Sequence, residues 1–381
     1  LNDLGFETFL LPFGPQWSIQ WVKKDPWIAI TNLLAVVKCS RMFYRKLRDF
    51  DPTHVHLGSP LVYSYLSLAL AVTKTPMIYR MGDCPPVDSP FNLKIWRMAV
   101  RRSTRIVTIS EFVRYAGIVS GANAMKASVI YNLAPSSTDL SSGKERLCKN
   151  GANRNNLVYI GAVSEHKGLL PLVEAFARIG IEYPYLVLDI LGGSRYDTAF
   201  REELSQKVIQ HSLQDRVFFH GHVYDPSDYL RCSMLHIAPS ICEEGLGNVV
   251  LEAKREGTPS IVFPSGGLPE VVRHQIDGFI CSEKSVDALV EAFEWMLAVP
   301  ERLKRMGIAA RDDSDAADVL ERLQQEVAEG KLDLANVFVT FDPPGERVTG
   351  SVRIYVLGVD LVILTEWRGD ESAGTYEALS E

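Results

Sequence analysis

The strongest constraint on this chain is an alternation. Short apolar runs rich in Val, Ile and Leu alternate with longer stretches of helical spacing up to residue 311, in two blocks separated by a polar break. Strands alternating with helices in this way argue for a doubly wound parallel sheet with helices on both faces. In the first block the strands are expected at Glu7–Leu11, His54–Leu57, Pro76–Arg80, Arg105–Ile109 and Ser128–Tyr131. Helices are expected over Trp27–Arg48, Leu61–Val72 and Asn92–Ser103, with a further start at Ser110-Glu111. Residues 134–156 are rich in Ser, Asn and Gly and read as a domain break. The rhythm then resumes with strands Leu157–Ile160, Tyr185–Leu191, Val217–His220, Met234–Pro239 and Pro259–Phe263. Helices are expected at Leu169–Ile179, Thr198–Gln210, Asp225–Ser233, from Asn248, at Leu268–His274, Ser285–Ala298 and Glu301–Arg311. Two α/β domains result, 1–145 and 146–311, with a cleft expected between the carboxyl ends of their sheets, where ligands bind in such folds.

Residues 312–381 break the rhythm. They carry 16 acidic and 5 basic residues, against 31 and 35 in the rest of the chain. An acidic helix is expected over Asp315–Glu329, then β-rich runs at Val337–Phe341 and Val352–Leu364. Joined head to tail, YEALSE and LNDLGFET read as one amphipathic helix, a Gly stop and a strand. A circularly permuted or re-cut chain, its first βα unit supplied by 350–381, is one reading; truncation with an unrelated extension is the other. The run Asp312-Asp313-Ser314-Asp315 reads as a solvated helix cap and not a metal site. The six cysteines are scattered without a CxxC pair, which suggests neither zinc nor a disulfide framework and points to a reducing cytoplasm. No apolar run is long enough to span a membrane. No G-x-G-x-x-G follows an expected strand, so a dinucleotide-binding dehydrogenase is disfavoured.

The chemistry concentrates in APSICEEGLGNVVLEA, residues 238–253. A strand ends, a loop follows, and a helix opens at Asn248. Gly245 and Gly247 let backbone approach a ligand, and the amides of Gly247 to Val250, Asn248 and Val249 among them, would face outward at a helix N-terminus that favours phosphate. Glu244 in the loop and Glu252 in the helix, seven residues between them, could hold two ends of one ligand through paired hydroxyls.

This stretch and its neighbours resemble the nucleotide-sugar domain of the retaining GT-B glycosyltransferases of the family 4 type. YIGAVSEHKG (159–168), LDILGG (188–193), FFHGHV (218–223), GTPSIVFPSGGLPEVV (257–272) and DGFIC (277–281) follow in the same order, and ISEFV (109–113) and VIYNL (129–133) resemble the end of the first domain. The resemblance implies two Rossmann-like domains facing across a cleft and transfer of a sugar from a UDP- or GDP-linked donor to a glycan or lipid-linked hydroxyl, with retention, in envelope or polysaccharide synthesis. It implies that Glu244 accepts sugar hydroxyls and Glu252 the ribose. Gly245, Leu246, Gly247 and Asn248 would line sugar and diphosphate, Lys167 would neutralise the diphosphate, and Gly161 would let the chain approach it. His222 and Val223 fall where base recognition is expected. Two positions depart from the pattern. Ala162 stands where Arg is usual, with Arg195 a candidate replacement. Gly82 and Asp83 stand where a His is usual, making Asp83 a candidate acceptor-side group.

No cofactor, metal or nucleic-acid partner is implied. The basic helices at 27–48, with Lys38, Arg41, Arg45, Lys46 and Arg48, and at 92–105, with Lys94, Arg97, Arg101, Arg102 and Arg105 and Trp96 and Met98 between, suggest peripheral contact with an anionic membrane at its cytoplasmic face, or else sheet-covering helices with a charged outer side. A non-catalytic nucleotide-sugar-binding protein of the same fold is the alternative function.

Overall fold

The computed structural model describes residues 9–12, 27–132, 155–193, 198–314, 351–357 and 360–366. The chain divides into two units, one formed by Leu1–Ile130 with Gly330–Glu381 and the other by Tyr131–Glu329. The expected break at 145/146, Arg195, the acidic helix Asp315–Glu329, the run Val337–Phe341 and both halves of the head-to-tail helix lie outside the described residues.

In the first unit the chain runs β1 (Phe9–Pro12), α1 (Trp27–Phe50), β2 (Val55–Leu57), α2 (Pro60–Thr73), β3 (Met77–Met81), α3 (Pro90–Arg102), β4 (Arg105–Thr108), α4 (Glu111–Ser120) and β5 (Ala127–Val129). Serine hydroxyls open three of these helices. Ser59, Ser89 and Ser110 accept the amides of Leu61, Asn92 and Val113 at 3.2, 3.3 and 3.0 Å, and Pro60 and Pro90 occupy the first helical position, where a missing N–H costs nothing. Strands β2 to β5 are parallel neighbours.

The tail enters this sheet. Its β-rich run divides into β12 (Ser351–Leu357) and β13 (Asp360–Glu366), a hairpin inserted between β1 and β2, so that the order is β1-β12-β13-β2-β3-β4-β5. β13 pairs in parallel with β2, whereas β12 runs against its neighbours on both sides. It is therefore the second tail strand that continues the parallel sheet. Beneath the sheet, Cys39, Phe43 and Leu47 on α1 and Tyr65, Leu66 and Leu70 on α2 are buried at helical spacing. Trp96 is also buried, 2% exposed, which favours the sheet-covering reading of its helix over the membrane-facing one.

The second unit comprises β6 (Asn156–Ile160), α5 (Leu169–Ile179), β7 (Val187–Leu191), α6 (Thr198–Gln210), β8 (Val217–Gly221), α7 (Ser227–Cys232), β9 (Leu235–Ala238), α8 (Asn248–Arg255), β10 (Ser260–Val262), β11 (Gly278–Ile280), α9 (Val286–Leu297) and α10 (Pro300–Ser314). All six strands are parallel in the order β11-β10-β9-β6-β7-β8. Strand order reverses between β6 and β9, and the crevice beyond the carboxyl ends of two such strands is where an open α/β sheet binds ligands. The core packs Phe176, Phe263 and Phe293 with Leu157, Leu188 and Ile237 against the sheet.

Three expectations in this unit change. The helix expected over Leu268–His274 is a single tight turn, Leu268–Glu270. The Asp277 carboxylate accepts the amide of Arg273 at 2.8 Å, and the chain turns into β11, a strand the sequence reading did not separate from its motif. Asp313 is not a solvated cap: its carboxylate bonds the ammonium of Lys254, which is 3% exposed, and lies 3.3 Å from Arg273. Cys232 is disulfide-bonded, although the scattered cysteines suggested no disulfide framework. Among the described residues no helix is long and apolar enough to cross a membrane.

Candidate active site

The loops that follow β6, β9 and β10 converge at the reversal of strand order. After β6 the chain makes a tight turn, Glu165–Lys167, ending in Gly168 with φ +75°. A Cβ on Gly168 would lie 1.8 Å from the carbonyl oxygen of Pro239, so only glycine lets this turn lie against the end of β9. The carbonyl of His166 accepts the amides of Ile241 and Cys242 at 2.9 and 3.1 Å, locking the two loops together. That lock delivers Lys167 to Glu244.

The Lys167 ammonium lies 2.6 Å from Glu244 Oε1, both side chains about three-quarters buried. Ser240 Oγ donates to the same oxygen at 2.5 Å. Oε2 of Glu244 has no hydrogen-bond partner among the described residues. Ser240 was missed at the sequence level, although a Ser four residues before the Glu, at the strand end, was a readable signal. It is buried, and Ser265 donates to its carbonyl.

The Gly266-Gly267 pair after β10 closes the far wall. Gly267 N–H donates to the Glu244 carbonyl at 2.8 Å. A Cβ on Gly266 would stand 2.2 Å from that carbonyl oxygen, and one on Gly267 2.5 Å from the oxygen of Gly245. Gly266 N–H donates to Glu243, whose other carboxylate oxygen is 2.7 Å from the ammonium of Lys284. The Glu244 backbone is thus held from two sides before any ligand arrives.

Gly247, at φ +103°, caps α8 without a side-chain hydrogen bond. Leu246 is buried and serves packing; Asn248 is exposed and Val249 half-buried at the first turn. The amide of Val250 was expected to face outward. It instead donates to the Gly247 carbonyl at 3.0 Å, closing the first helical turn, so the outward positive end rests on Asn248 and Val249.

Glu252 is half-buried in α8. Burial raises its carboxyl above the ordinary range, Arg255 opposes the shift, and Asp225 adds to it. The loop after β8 therefore adjoins this face. In that loop Val223 packs against Val158, Leu191, Leu230 and Ala253, while His222 is exposed.

Gly161 opens the loop after β6, its N–H donating to the Leu191 carbonyl at 2.9 Å. A Cβ on Gly192 would lie 1.7 Å from the Gly161 oxygen. The Tyr159 hydroxyl donates to the Ala162 carbonyl at 2.8 Å, and burial, with the charge of Glu244 next, raises its pKa. Ala162 therefore serves through its backbone. Asp83 belongs to the first unit, in the exposed bend after β3, close enough to Tyr79 to add to the raised pKa that burial gives that phenol.

Residues 148–313 match the family glycosyl transferases group 1. A curated relative, an uncharacterized glycosyltransferase of Haemophilus influenzae, is 26% identical over 215 residues, covering 56% of this chain and 57% of the relative. A GDP-mannose-dependent alpha-(1-6)-phosphatidylinositol monomannoside mannosyltransferase of Mycobacterium tuberculosis is 30% identical over 167 residues, 42% of each chain. The chain thus spans about half the length of the curated relatives it matches. Among solved structures, Anabaena HepE in complex with UDP and glucose aligns with a TM-score of 0.66 at 20% identity, over 78% of this chain and 81% of HepE. Sucrose-phosphate synthase from Thermosynechococcus elongatus aligns at 0.63 and 21%, over 78% and 79%. Lys167, Glu244 and Glu252 all lie inside the matched segment; residues 148–313 match the glycosyl transferases group 1 family, and the chain has the GT-B fold.

Proposed function

We propose that the chain is a retaining glycosyltransferase that moves a sugar from a UDP- or GDP-linked donor to a hydroxyl of a glycan or lipid-linked acceptor. We place it in envelope or polysaccharide synthesis, at the cytoplasmic side of the membrane. The observation that carries this reading is the Lys167–Glu244 pair, set beside the uncapped N-terminus of α8 at the reversal of strand order. In the proposed reaction the Lys167 ammonium and the amides of Asn248 and Val249 face the departing diphosphate. Charge developing on the leaving group meets donors that are already oriented. Glu244 accepts sugar hydroxyls through Oε2, its Oε1 being held by Ser240 and Lys167. Glu252 takes the ribose hydroxyls, Val223 and His222 flank the base, and Gly161, Gly245, Leu246 and Gly247 present backbone to sugar and diphosphate. Asp83 is proposed as an acceptor-side group. The acceptor oxygen attacks the anomeric carbon on the face the diphosphate vacates, the carbon–oxygen bond to the diphosphate breaks with its electron pair, and the acceptor's proton passes to the departing diphosphate oxygen. No covalent bond to the protein forms.

The test is nucleotide release from UDP- and GDP-sugars, with and without acceptor. Glu244→Ala removes a charged acceptor worth about 1.5–3 kcal/mol, or roughly ten- to a hundredfold in turnover. Near-full activity of this variant would sink its assigned role. A non-catalytic nucleotide-sugar-binding protein is the second reading, favoured by the small side chain of Ala162 where the resemblance expects Arg; tight nucleotide binding with no turnover on any sugar donor would establish it.

Membrane contact is proposed on the outer face of α1. Trp27, Leu33, Leu34 and Val37 are 70%, 61%, 65% and 52% exposed, and Lys38, Arg41 and Arg45 follow on the exposed side. An apolar stretch leading into basic residues suits an anionic lipid surface. Trp27→Ser with Leu34→Ser should abolish co-sedimentation with phosphatidylglycerol vesicles; unchanged sedimentation refutes the contact.

A further inference from the structure

The chain crosses from the first unit to the second between Ile130 and Tyr131, and the first two residues beyond the crossing bond both walls of the crevice. Tyr131 Oη donates to Glu270 Oε2 at 2.9 Å. Asn132 Nδ2 donates to Asn248 Oδ1 at 2.7 Å. Glu270 ends the tight turn that follows Gly266-Gly267, the pair whose backbone closes on Glu244 and Gly245. Asn248 is the first residue of α8, where the helix presents its positive end. A dipeptide far from these loops in sequence therefore clamps them both.

We propose that Tyr131 and Asn132 are positioning residues of the crevice, holding the Gly266–Glu270 loop and the start of α8 at the separation that a nucleotide diphosphate requires. The ligand class rests on the glycosyltransferase reading above; the clamp itself rests on the two hydrogen bonds. The physical reason is local. Both Asn248 and Glu270 sit at the ends of short elements, an eight-residue helix and a three-residue turn, which have little hydrogen bonding of their own to fix their ends. Neither wall has a side-chain cap: no cap hydrogen bond closes either element at its N-terminus. The tether ties both loops to one chain segment through the side chains of Glu270 and Asn248. It also means that the segment joining the two units carries part of the donor geometry.

The test uses the whole chain and the variants Asn132→Ala, Tyr131→Phe and Asn248→Ala, with the pair Asn132→Ala/Asn248→Ala. Two readouts are taken. Calorimetric titration with UDP and with GDP should show Kd raised about fivefold in Asn132→Ala, the fold-change of one neutral hydrogen bond. The double variant should be no weaker than the worse single one, because both remove the same contact. Amide exchange at Gly267, whose N–H is bonded to the Glu244 carbonyl, should accelerate in Tyr131→Phe without nucleotide, while exchange in the β6 and β7 core is unchanged. Glu270→Gln, which keeps an acceptor oxygen for Tyr131, should restore near-normal exchange where Glu270→Ala does not. If the wild type binds neither nucleotide, the glycosyltransferase reading fails, and exchange at Gly267 still decides the clamp. Unaltered exchange in Tyr131→Phe, or nucleotide affinities that add independently in the double variant, overturns the proposal.

Discussion

Gly267→Ala isolates how far the site depends on backbone contact between two loops. Gly267 has φ −83° and ψ −3°, which alanine adopts freely, so no backbone strain is introduced. The whole effect comes from the added methyl. It would stand 2.5 Å from the Gly245 oxygen, 3.0 Å from Leu246 Cα and 3.1 Å from the Gly245 carbonyl carbon. All three are backbone atoms, so no side chain can swing away. A carbon–oxygen contact needs about 3.3 Å, so the loops must part by roughly 0.8 Å. The Gly267 N–H to Glu244 carbonyl bond, now 2.8 Å, would then stretch beyond hydrogen-bonding range. Overpacking of this kind costs about 1–3 kcal/mol, and in a unit of this size lowers Tm by several degrees. Glu244 moves with its carbonyl, and a displacement near 1 Å costs on the order of a hundredfold in rate. The assay pairs a thermal melt with donor turnover. Gly193→Ala is the stability control, because a Cβ there meets nothing within 4 Å. Wild-type Tm and turnover in Gly267→Ala would refute the argument that these glycines set the position of Glu244.

Three further outcomes follow from charge and burial. Burial raises the folded-state pKa of Glu252, so its ionised form opposes folding and that cost is relieved as pH falls through the raised value; nucleotide affinity should weaken over the same interval, above the range of an exposed glutamate. Glu252→Gln should flatten that affinity profile, seen by titration at several pH values, without losing stability at neutral pH. Lys254→Ala strips the ammonium from Asp277, 3.1 Å away and 1% exposed, and should cost about 3 kcal/mol in urea unfolding. Asp313→Ala should cost about 1 kcal/mol, because Asp277 and the Val271 carbonyl still hold Lys254; equal losses would contradict this assignment. His236 is wholly buried in β9, and burial pushes its imidazole down to about 3. It is therefore neutral when folded and protonated on unfolding, so stability present above about pH 6.5 is lost as pH falls toward 3, by up to about 1.4 kcal/mol per pH unit. A His236→Asn chain whose stability falls as steeply over that range would dismiss His236 as the source.

Much of the second unit was legible because its signals are local. Leu169–Ile179 and Thr198–Gln210 form helices with the expected ends, since apolar spacing and breakers such as Gly168 and Gly180 act within a few residues. The strand-loop-helix passage from Leu235 to Arg255 was legible for the same reason. What failed depended on distant partners. Leu268–His274 has helical spacing, yet Asp277 captures the amide of Arg273 and ends the turn early. Asp313 sits in an acidic run that looks solvated, yet it meets a lysine 59 positions earlier.

The amino-acid sequence by itself therefore determined the α/β class, the two blocks of βα units and the glycine loop that opens α8, because periodicity, turn chemistry and helix N-termini are short-range properties. Only the tertiary structure decided that the tail hairpin inserts between β1 and β2 and that Lys167 meets Oε1 of Glu244. It alone decided, too, that Tyr131 and Asn132 reach across to Glu270 and Asn248. Each of these joins residues separated by loops or whole elements, and such contacts are selected by packing and by the need of buried polar groups for partners, neither of which has a spacing that can be read along the chain.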